Sequence, residues 1–260
     1  MEDLITVTQP KSTASESYRG IRTSLFFSAA DNAPRVVLVT SAAPAEGKTM
    51  TAANVAVTMA QAGNRVLVID CDMRRPRMHR MFNVPRDRGV SNVLVGNCSL
   101  EEAIIPSSVQ GLDVLPAGPV PPNPSEMLGS QNMGKLFQAL RGRYDRIIVD
   151  SPPITAVTDA VILTRLTDGV LLVVRAGETH REIVKNGIAL LQGASANILG
   201  AILNGVNMGR DSYYYYQYYY YYYGEDGDRK RKTKRKKRER SVYGEGGREE
   251  MAPAGQDART

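Results

Sequence analysis

The chain has 260 residues, 42% of them hydrophobic, two cysteines and a formal net charge of +6. That length fits one domain with tails or at most two small ones, and the apolar share is enough for a core. Two cysteines exclude a disulfide framework and a cysteine metal cluster, and the lack of an apolar run of about 18 residues excludes a transmembrane helix.

The opening "MEDLITVTQPKS" has neither a basic nor an apolar signal region, so a cytoplasmic location is the default. From Asp211 onward there are 12 Lys/Arg against 9 Asp/Glu, while residues 1–210 hold 21 against 18. The body is therefore nearly balanced. The concentrated charge is local to 229–240, which argues against a general nucleic-acid-binding protein.

In chain order, a helix is expected over 13–28, where "KSTASES" offers N-caps. Then come strand 35–40, helix 49–62 and strand 65–70. Strand 112–117 follows, then a rigid Pro-rich loop at 116–126 that cannot enter a sheet. Helix 125–141, strand 145–150, helix 158–166, strand 169–175, helix 181–191 and strand 198–204 complete the series. The strands are continuous runs of Val, Ile and Leu, as in parallel sheets covered on both faces. The alternation predicts an α/β fold: a doubly wound, mainly parallel sheet with helices on both faces. Residues 1–207 read as that domain. Residues 208–260 lose all periodicity and read as a disordered tail.

The first strand runs into "AAPAEGKT" (42–49), a P-loop pattern with Ala42 in place of the first Gly. Such a loop turns backbone N–H groups toward a phosphate at a helix N-terminus. Ala45, Glu46, Gly47, Lys48, Thr49 and Met50 are the expected nucleotide-binding segment. Lys48 would reach the β- and γ-phosphates, and the Thr49 hydroxyl would ligate Mg²⁺. Three acids end strands: Asp70 and Asp72 in "VLVIDCDMRRP", and Asp150 in "IIVDSPP". Ligands of open α/β sheets gather at those ends, so all three can converge on phosphates and Mg²⁺. The fold is thus of P-loop NTPase type.

Together, "SAAPAEGKT", "VLVIDCDMRRP" and "IIVDSPP" resemble the Walker A, A′ and B motifs of the bacterial tyrosine kinases of capsule and exopolysaccharide production. "ESYRGIRTSL" matches the family's E-x-x-R-x-x-R oligomerisation motif through Glu16, Arg19 and Arg22. "PPNPSEML" and the terminal tyrosine cluster also match. The resemblance implies ATP and Mg²⁺ as cofactors. Lys48 would hold phosphate, Asp70 would take the substrate proton, and Asp72, Asp150 and Thr49 would organise the metal. Arg74 would complete D-x-D-x-R. It also implies a homo-oligomeric ring, a transmembrane polysaccharide co-polymerase-type adaptor as activator, an opposing tyrosine phosphatase, and a place at the inner face of the membrane. The alternative is a MinD/ParA-like switch ATPase. Those carry a signature lysine five residues before the P-loop lysine, where this chain has Ala43. Asn204 in "ILNGVN" resembles the superfamily's adenine-edge Asn, although a strand-end Asn can equally be a turn residue.

Other residues have plainer readings. Cys71 reads as a small buried hydrophobe, and His79 and His180 as structural. The basic "RRPRMHRMF" (74–82) is either an exposed loop or a lining of the phosphate or acceptor site. Ten of the eleven residues 213–223 are tyrosine: Tyr213, Tyr214, Tyr215, Tyr216, Tyr218, Tyr219, Tyr220, Tyr221, Tyr222 and Tyr223. Behind a kinase core they read as its own acceptors. Ten of the twelve residues 229–240 are Lys or Arg. That run suits an anionic membrane surface.

Overall fold

Each of the six apolar runs is a strand, and they lie in one sheet of a computed structural model that describes residues 4–27 and 33–206. The strands are β1 (Val36–Ser41), β2 (Val66–Asp70), β3 (Ile105–Pro106), β4 (Leu112–Leu115), β5 (Arg146–Asp150), β6 (Gly169–Arg175) and β7 (Ile198–Asn204). Their order is β3-β4-β2-β5-β1-β6-β7. Every pairing is parallel except that of β4 with β3, a two-residue edge strand that no apolar run announces. Pro106 is tolerated there because an edge position needs no further ladder hydrogen bond.

The helices are α1 (Ile5–Thr8), α2 (Thr13–Phe27), α3 (Lys48–Gln61), α4 (Met78–Phe82), α5 (Val90–Leu94), α6 (Leu100–Ala103), α7 (Pro124–Leu128), α8 (Gln131–Arg143), α9 (Asp159–Thr164) and α10 (Arg181–Gly193). Alternate residues of each central strand feed two separate cores. Val36, Leu38, Leu67, Ile69, Ile147 and Val149 pack with Leu140 of α8, Leu163 of α9 and Leu191 of α10. Val37, Val39, Val66, Val68 and Ile148 pack with Ala52, Val55, Ala56 and Met59 of α3 and with Leu25 of α2. Side chains point alternately up and down a strand, so a sheet covered on both faces needs apolar residues at every position. That is why these strands read as unbroken runs.

The differences from expectation have local causes. The helix expected over 125–141 is two helices. Pro124 opens α7, and Ser130 restarts the chain as the N-cap of α8, its hydroxyl accepting from Met133 N. Three short helices, α4 to α6, lie in the stretch between β2 and β3, where no helix was expected. A capping box holds α6: Ser99 Oγ accepts from Glu102 N, and Glu102 Oε2 accepts from Ser99 N. Half of the basic stretch 74–82 is therefore α4 rather than loop. The unforeseen α1 docks on α3 through buried Asn54, whose Oδ1 accepts from Thr6 N at 3.1 Å and Thr6 Oγ1 at 2.8 Å. Among the described residues no helix is long and apolar enough to cross a membrane. The tail expected over 208–260, with its tyrosine cluster and basic run, lies outside the described residues.

Candidate active site

β1, β5 and β2 are adjacent, and the three motifs sit at their C-terminal ends. The register places Asp70 directly opposite Asp150. To one side of β1 the sheet continues through β5 and β2, to the other through β6 and β7. The loop after β1 thus opens at a topological switch point, where such sheets bind ligands.

That loop is rigidly built. Ala42 is buried in the core and its N–H donates to Val173 O. Left-handed backbone occurs at Ala45 (φ 64°) and Gly47 (φ 88°), not at Ala42. Alanine at the first position therefore meets no conformational objection. Glu46 is only 2% exposed. Its Oε2 accepts from Ala43 N at 2.7 Å, while Oε1 accepts from Arg175 N and from the Thr179 hydroxyl. Its side chain ties the loop to the β6–α10 connection. Asn204 Nδ2 donates to Glu46 O at 2.8 Å, and Asn204 Oδ1 accepts from Gly205 N. The structure thus places the Asn204 amide on the phosphate loop.

Gly47 is required twice over. Its φ is left-handed, and an added Cβ would lie 2.2 Å from Asn204 Nδ2. Gly47→Ala is expected to weaken nucleotide binding about tenfold or more, since the left-handed strain alone is worth roughly 1–2 kcal/mol. Titration with a fluorescent adenine nucleotide checks this; wild-type affinity would refute it.

Lys48, Thr49 and Met50 form the first turn of α3. Lys48 Nζ lies 2.8 Å from Asp72 Oδ2 and 3.4 Å from Asp150 Oδ1. The Thr49 hydroxyl donates to Asp150 Oδ2 at 2.7 Å. Burial by itself would lower the Lys48 pKa, but Asp150 and Asp72 outweigh it and hold the ammonium above its usual value. Burial also pushes Asp150 up, although Lys48 and Thr49 oppose it.

Asp70 is fully buried. Its Oδ2 accepts from Arg77 N and Met78 N, at 3.1 and 3.0 Å, and Oδ1 accepts from Asp72 N at 3.1 Å. The same carboxylate therefore folds the loop after β2 and anchors the start of α4. Burial, then the nearby Asp150, push Asp70 up to about 8 against the pull of Met78 N and Lys48.

The remaining expected residues fall elsewhere. Arg74 turns to the side, where its guanidinium binds Asp159 and Ser125. Neither partner stands out in the sequence: Ser125 lies unremarked within "PPNPSEML", and Asp159 carries no local signal. Glu16 and Arg19 pair with each other on the exposed face of α2. Arg22 points onto α3, where Nη1 donates to Thr58 O at 2.9 Å. Cys71 is buried and its thiol is pushed well up by burial, so it is an inert core residue. His79 Nδ1 is buried and has no hydrogen-bond partner among the described residues, and burial, then Arg86 and Arg80, lower its pKa. His180 precedes α10 and makes no side-chain cap. Arg75, Arg77 and Arg80 are exposed.

Comparison with known proteins agrees with this geometry. A family profile described as an AAA domain matches residues 35–191. The tyrosine-protein kinase YwqD of Bacillus subtilis is 43% identical over 212 residues, covering 82% of this chain and 90% of that protein. The crystal structure of the chimerical protein CapA2B2 superposes with a TM-score of 0.77 at 40% identity, covering 79% of this chain and 91% of that one. The kinase domain of the Escherichia coli tyrosine kinase ETK gives 0.76 at 38% identity, covering 78% and 80%. Identity at this level over nearly the whole of a curated relative, on the same sheet, shows that the chain belongs to the bacterial tyrosine-kinase family.

Proposed function

We propose that the chain is an ATP- and Mg²⁺-dependent protein-tyrosine autokinase that phosphorylates its own tail tyrosines, 213–223, between copies in a ring. The observation carrying this reading is the meeting of Lys48, Thr49, Asp70, Asp72 and Asp150 at three adjacent strand ends beside a helix N-terminus. The residues suit the cofactors. The loop offers backbone N–H groups and Lys48 to phosphates. Thr49, Asp72 and Asp150 offer hard oxygen donors. Among the described residues no group of three or more His, Cys, Asp and Glu forms a metal cage. Mg²⁺ binds through one or two carboxylates and otherwise takes phosphate and water oxygens, a demand that the Thr49, Asp72 and Asp150 oxygens can meet. When bound, Mg²⁺ neutralises charge on the β- and γ-phosphates.

The chain's residues divide the remaining work. Lys48 leaves its carboxylate partners for the γ-phosphate. Asp70 takes the phenolic proton as the tyrosine oxygen bonds to phosphorus and the bond to the ADP oxygen breaks. An ordinary carboxylate near 4 is a weak base for a phenol near 10. Burial, then the nearby Asp150, hold Asp70 above an ordinary carboxylate, which moves it toward the phenol as a base.

Glu16, Arg19 and Arg22 are assigned to contacts between copies, and the activator to a separate membrane adaptor that places the kinase at the inner membrane face. The output would be control of capsule or exopolysaccharide assembly, reset by a tyrosine phosphatase. Protein incubated with ATP and Mg²⁺, with and without an adaptor's cytoplasmic segment, is expected to gain phosphotyrosine at 213–223 by mass spectrometry. ATP hydrolysis without phosphotyrosine in either arm would favour a switch ATPase, a role that Ala43 argues against.

We assign the basic run 229–240 to an anionic membrane surface. Each phosphate adds about −1.5 to −2 charge, so roughly five or six would offset the run. Phosphorylated protein is expected to bind phosphatidylserine vesicles more weakly than unmodified protein. Equal binding would overturn this role.

A further inference from the structure

We infer that Ser125 and Asp159 are positioning residues for the reaction: acting through Arg74, they hold the loop that carries Asp72 and so set how well the site uses Mg²⁺. The inference rests on the kinase reading above and adds residues to it.

Residues 71–77 connect β2 to α4. Both ends are gathered by Asp70, which accepts the N–H group of Asp72 beside β2 and those of Arg77 and Met78 at the start of α4. The middle is held by Arg74. Its Nε donates to Asp159 Oδ2 at 2.9 Å and its Nη2 to Asp159 Oδ1 at 3.0 Å, a bidentate fork. Nη2 also donates to Ser125 Oγ at 2.8 Å, and Ser125 Oγ donates to Asp159 Oδ1 at 2.7 Å. Three groups from the loop, α7 and α9 thus close on one another.

Asp159 is fully buried while the Arg74 side chain is 39% exposed. The anchor is in the core, and the Arg74 side chain reaches from the loop to it. A buried carboxylate needs its lone pairs satisfied, and Ser125 supplies the donor that Arg74 does not. An exposed ion pair would fix little; this closed triangle fixes the guanidinium plane.

The link to the site is short. Only Met73, fully buried, separates Arg74 from Asp72. The next amide, Arg75 N, donates to Asp72 Oδ1 at 3.0 Å. That bond leaves Asp72 Oδ2 facing Lys48 at 2.8 Å. If Arg74 lets go, Arg75 N shifts and Asp72 loses the donor that aims it. Hydrogen bonds of this kind behind a metal-binding carboxylate typically change metal affinity 10–100-fold when removed. The clamp's hydrogen bonds join Arg74, Ser125 and Asp159, so nucleotide held by the phosphate loop alone should be insensitive to it.

The test uses full-length Ser125→Ala, Asp159→Asn and Arg74→Lys, titrated with fluorescent ADP in Mg²⁺ and in EDTA, with thermal melting alongside. In EDTA each variant is expected within about twofold of wild type. The tightening that Mg²⁺ gives is expected to fall about tenfold for Asp159→Asn and Arg74→Lys, and less for Ser125→Ala, which keeps the fork. The Mg²⁺ concentration giving half-maximal phosphotyrosine should rise in the same order. Equal losses with and without Mg²⁺, or a lower melting temperature with unchanged Mg²⁺ response, would reduce the clamp to a structural tie. If Asp159→Asn does not fold, Arg74→Lys decides, because it keeps the charge and loses the fork. Wild-type Mg²⁺ response in Arg74→Lys overturns the inference. Absence of phosphotyrosine from the wild type would instead sink the kinase reading and leave the binding test intact.

Discussion

Replacing Lys48 with methionine is expected to remove tyrosine phosphorylation while leaving the sheet assembled. The ammonium is the positive group facing Asp72 and Asp150, at 2.8 and 3.4 Å, and it begins the helix that receives the phosphates. Phosphoryl transfer depends on positioning and on charge stabilisation more than on bond chemistry by the protein. Loss of one well-placed donor typically costs about 10²–10³ in rate. Lys48→Met should lose at least that much, read as phosphotyrosine formed per minute with saturating ATP. Stability should fall too. Removing one partner of a buried pair costs roughly 3–5 kcal/mol when the other charge stays ionised. Here the fully buried Asp150 can take up a proton, since burial already raises its pKa, so the loss should sit below that range. A urea midpoint measured beside the assay separates the two effects. A Lys48→Met protein that labels its tail at the wild-type rate would end the kinase assignment.

The second large effect is expected at Asp70. Asp70→Asn removes the proposed base, and general-base catalysis of this kind is worth about 10²–10⁴. The substitution also disturbs structure in a defined way. Asp70 accepts three backbone N–H bonds, two on Oδ2 and one on Oδ1. An asparagine can keep its oxygen toward Arg77 and Met78, but its NH₂ then faces the N–H of Asp72. Leaving such a buried donor unpaired costs roughly 1–3 kcal/mol. The expected signature is a modest drop in the urea midpoint, near-normal nucleotide binding and a collapse of phosphotyrosine. If nucleotide binding collapses along with labelling, Asp70 acts by building the loop rather than by taking a proton.

Lys48 and Asp70 both stand in patterns that are legible in the sequence. The spacing of "AAPAEGKT" and the aspartates closing two apolar runs mark the phosphate loop and its acids, because backbone cradles and strand-end carboxylates leave local signatures. The six strands are legible for a related reason. Buried on both faces, they tolerate few polar residues, so their sequences are continuous and apolar.

The short helices α1, α4, α5 and α6 are not legible in this way, having only four or five residues each. Helices of that length do not sustain themselves by propensity or periodicity; caps and packing hold them. α4 shows this: its first turn depends on Asp70, which belongs to another element.

Sequence alone therefore determined the layer order, the phosphate loop and the identity of the acids, all fixed by short-range pattern. Tertiary structure decided which residues meet. Arg74 finds Asp159 85 positions away, Arg22 finds Thr58 36 away, and Glu46 finds Thr179 133 away. Asp70 faces Asp150 because β2 lies beside β5 in one register. No local pattern encodes such pairs. They exist because a parallel sheet with crossover helices packs distant helices together and brings distant strand ends to one edge, where buried charges must find partners or give up their charge.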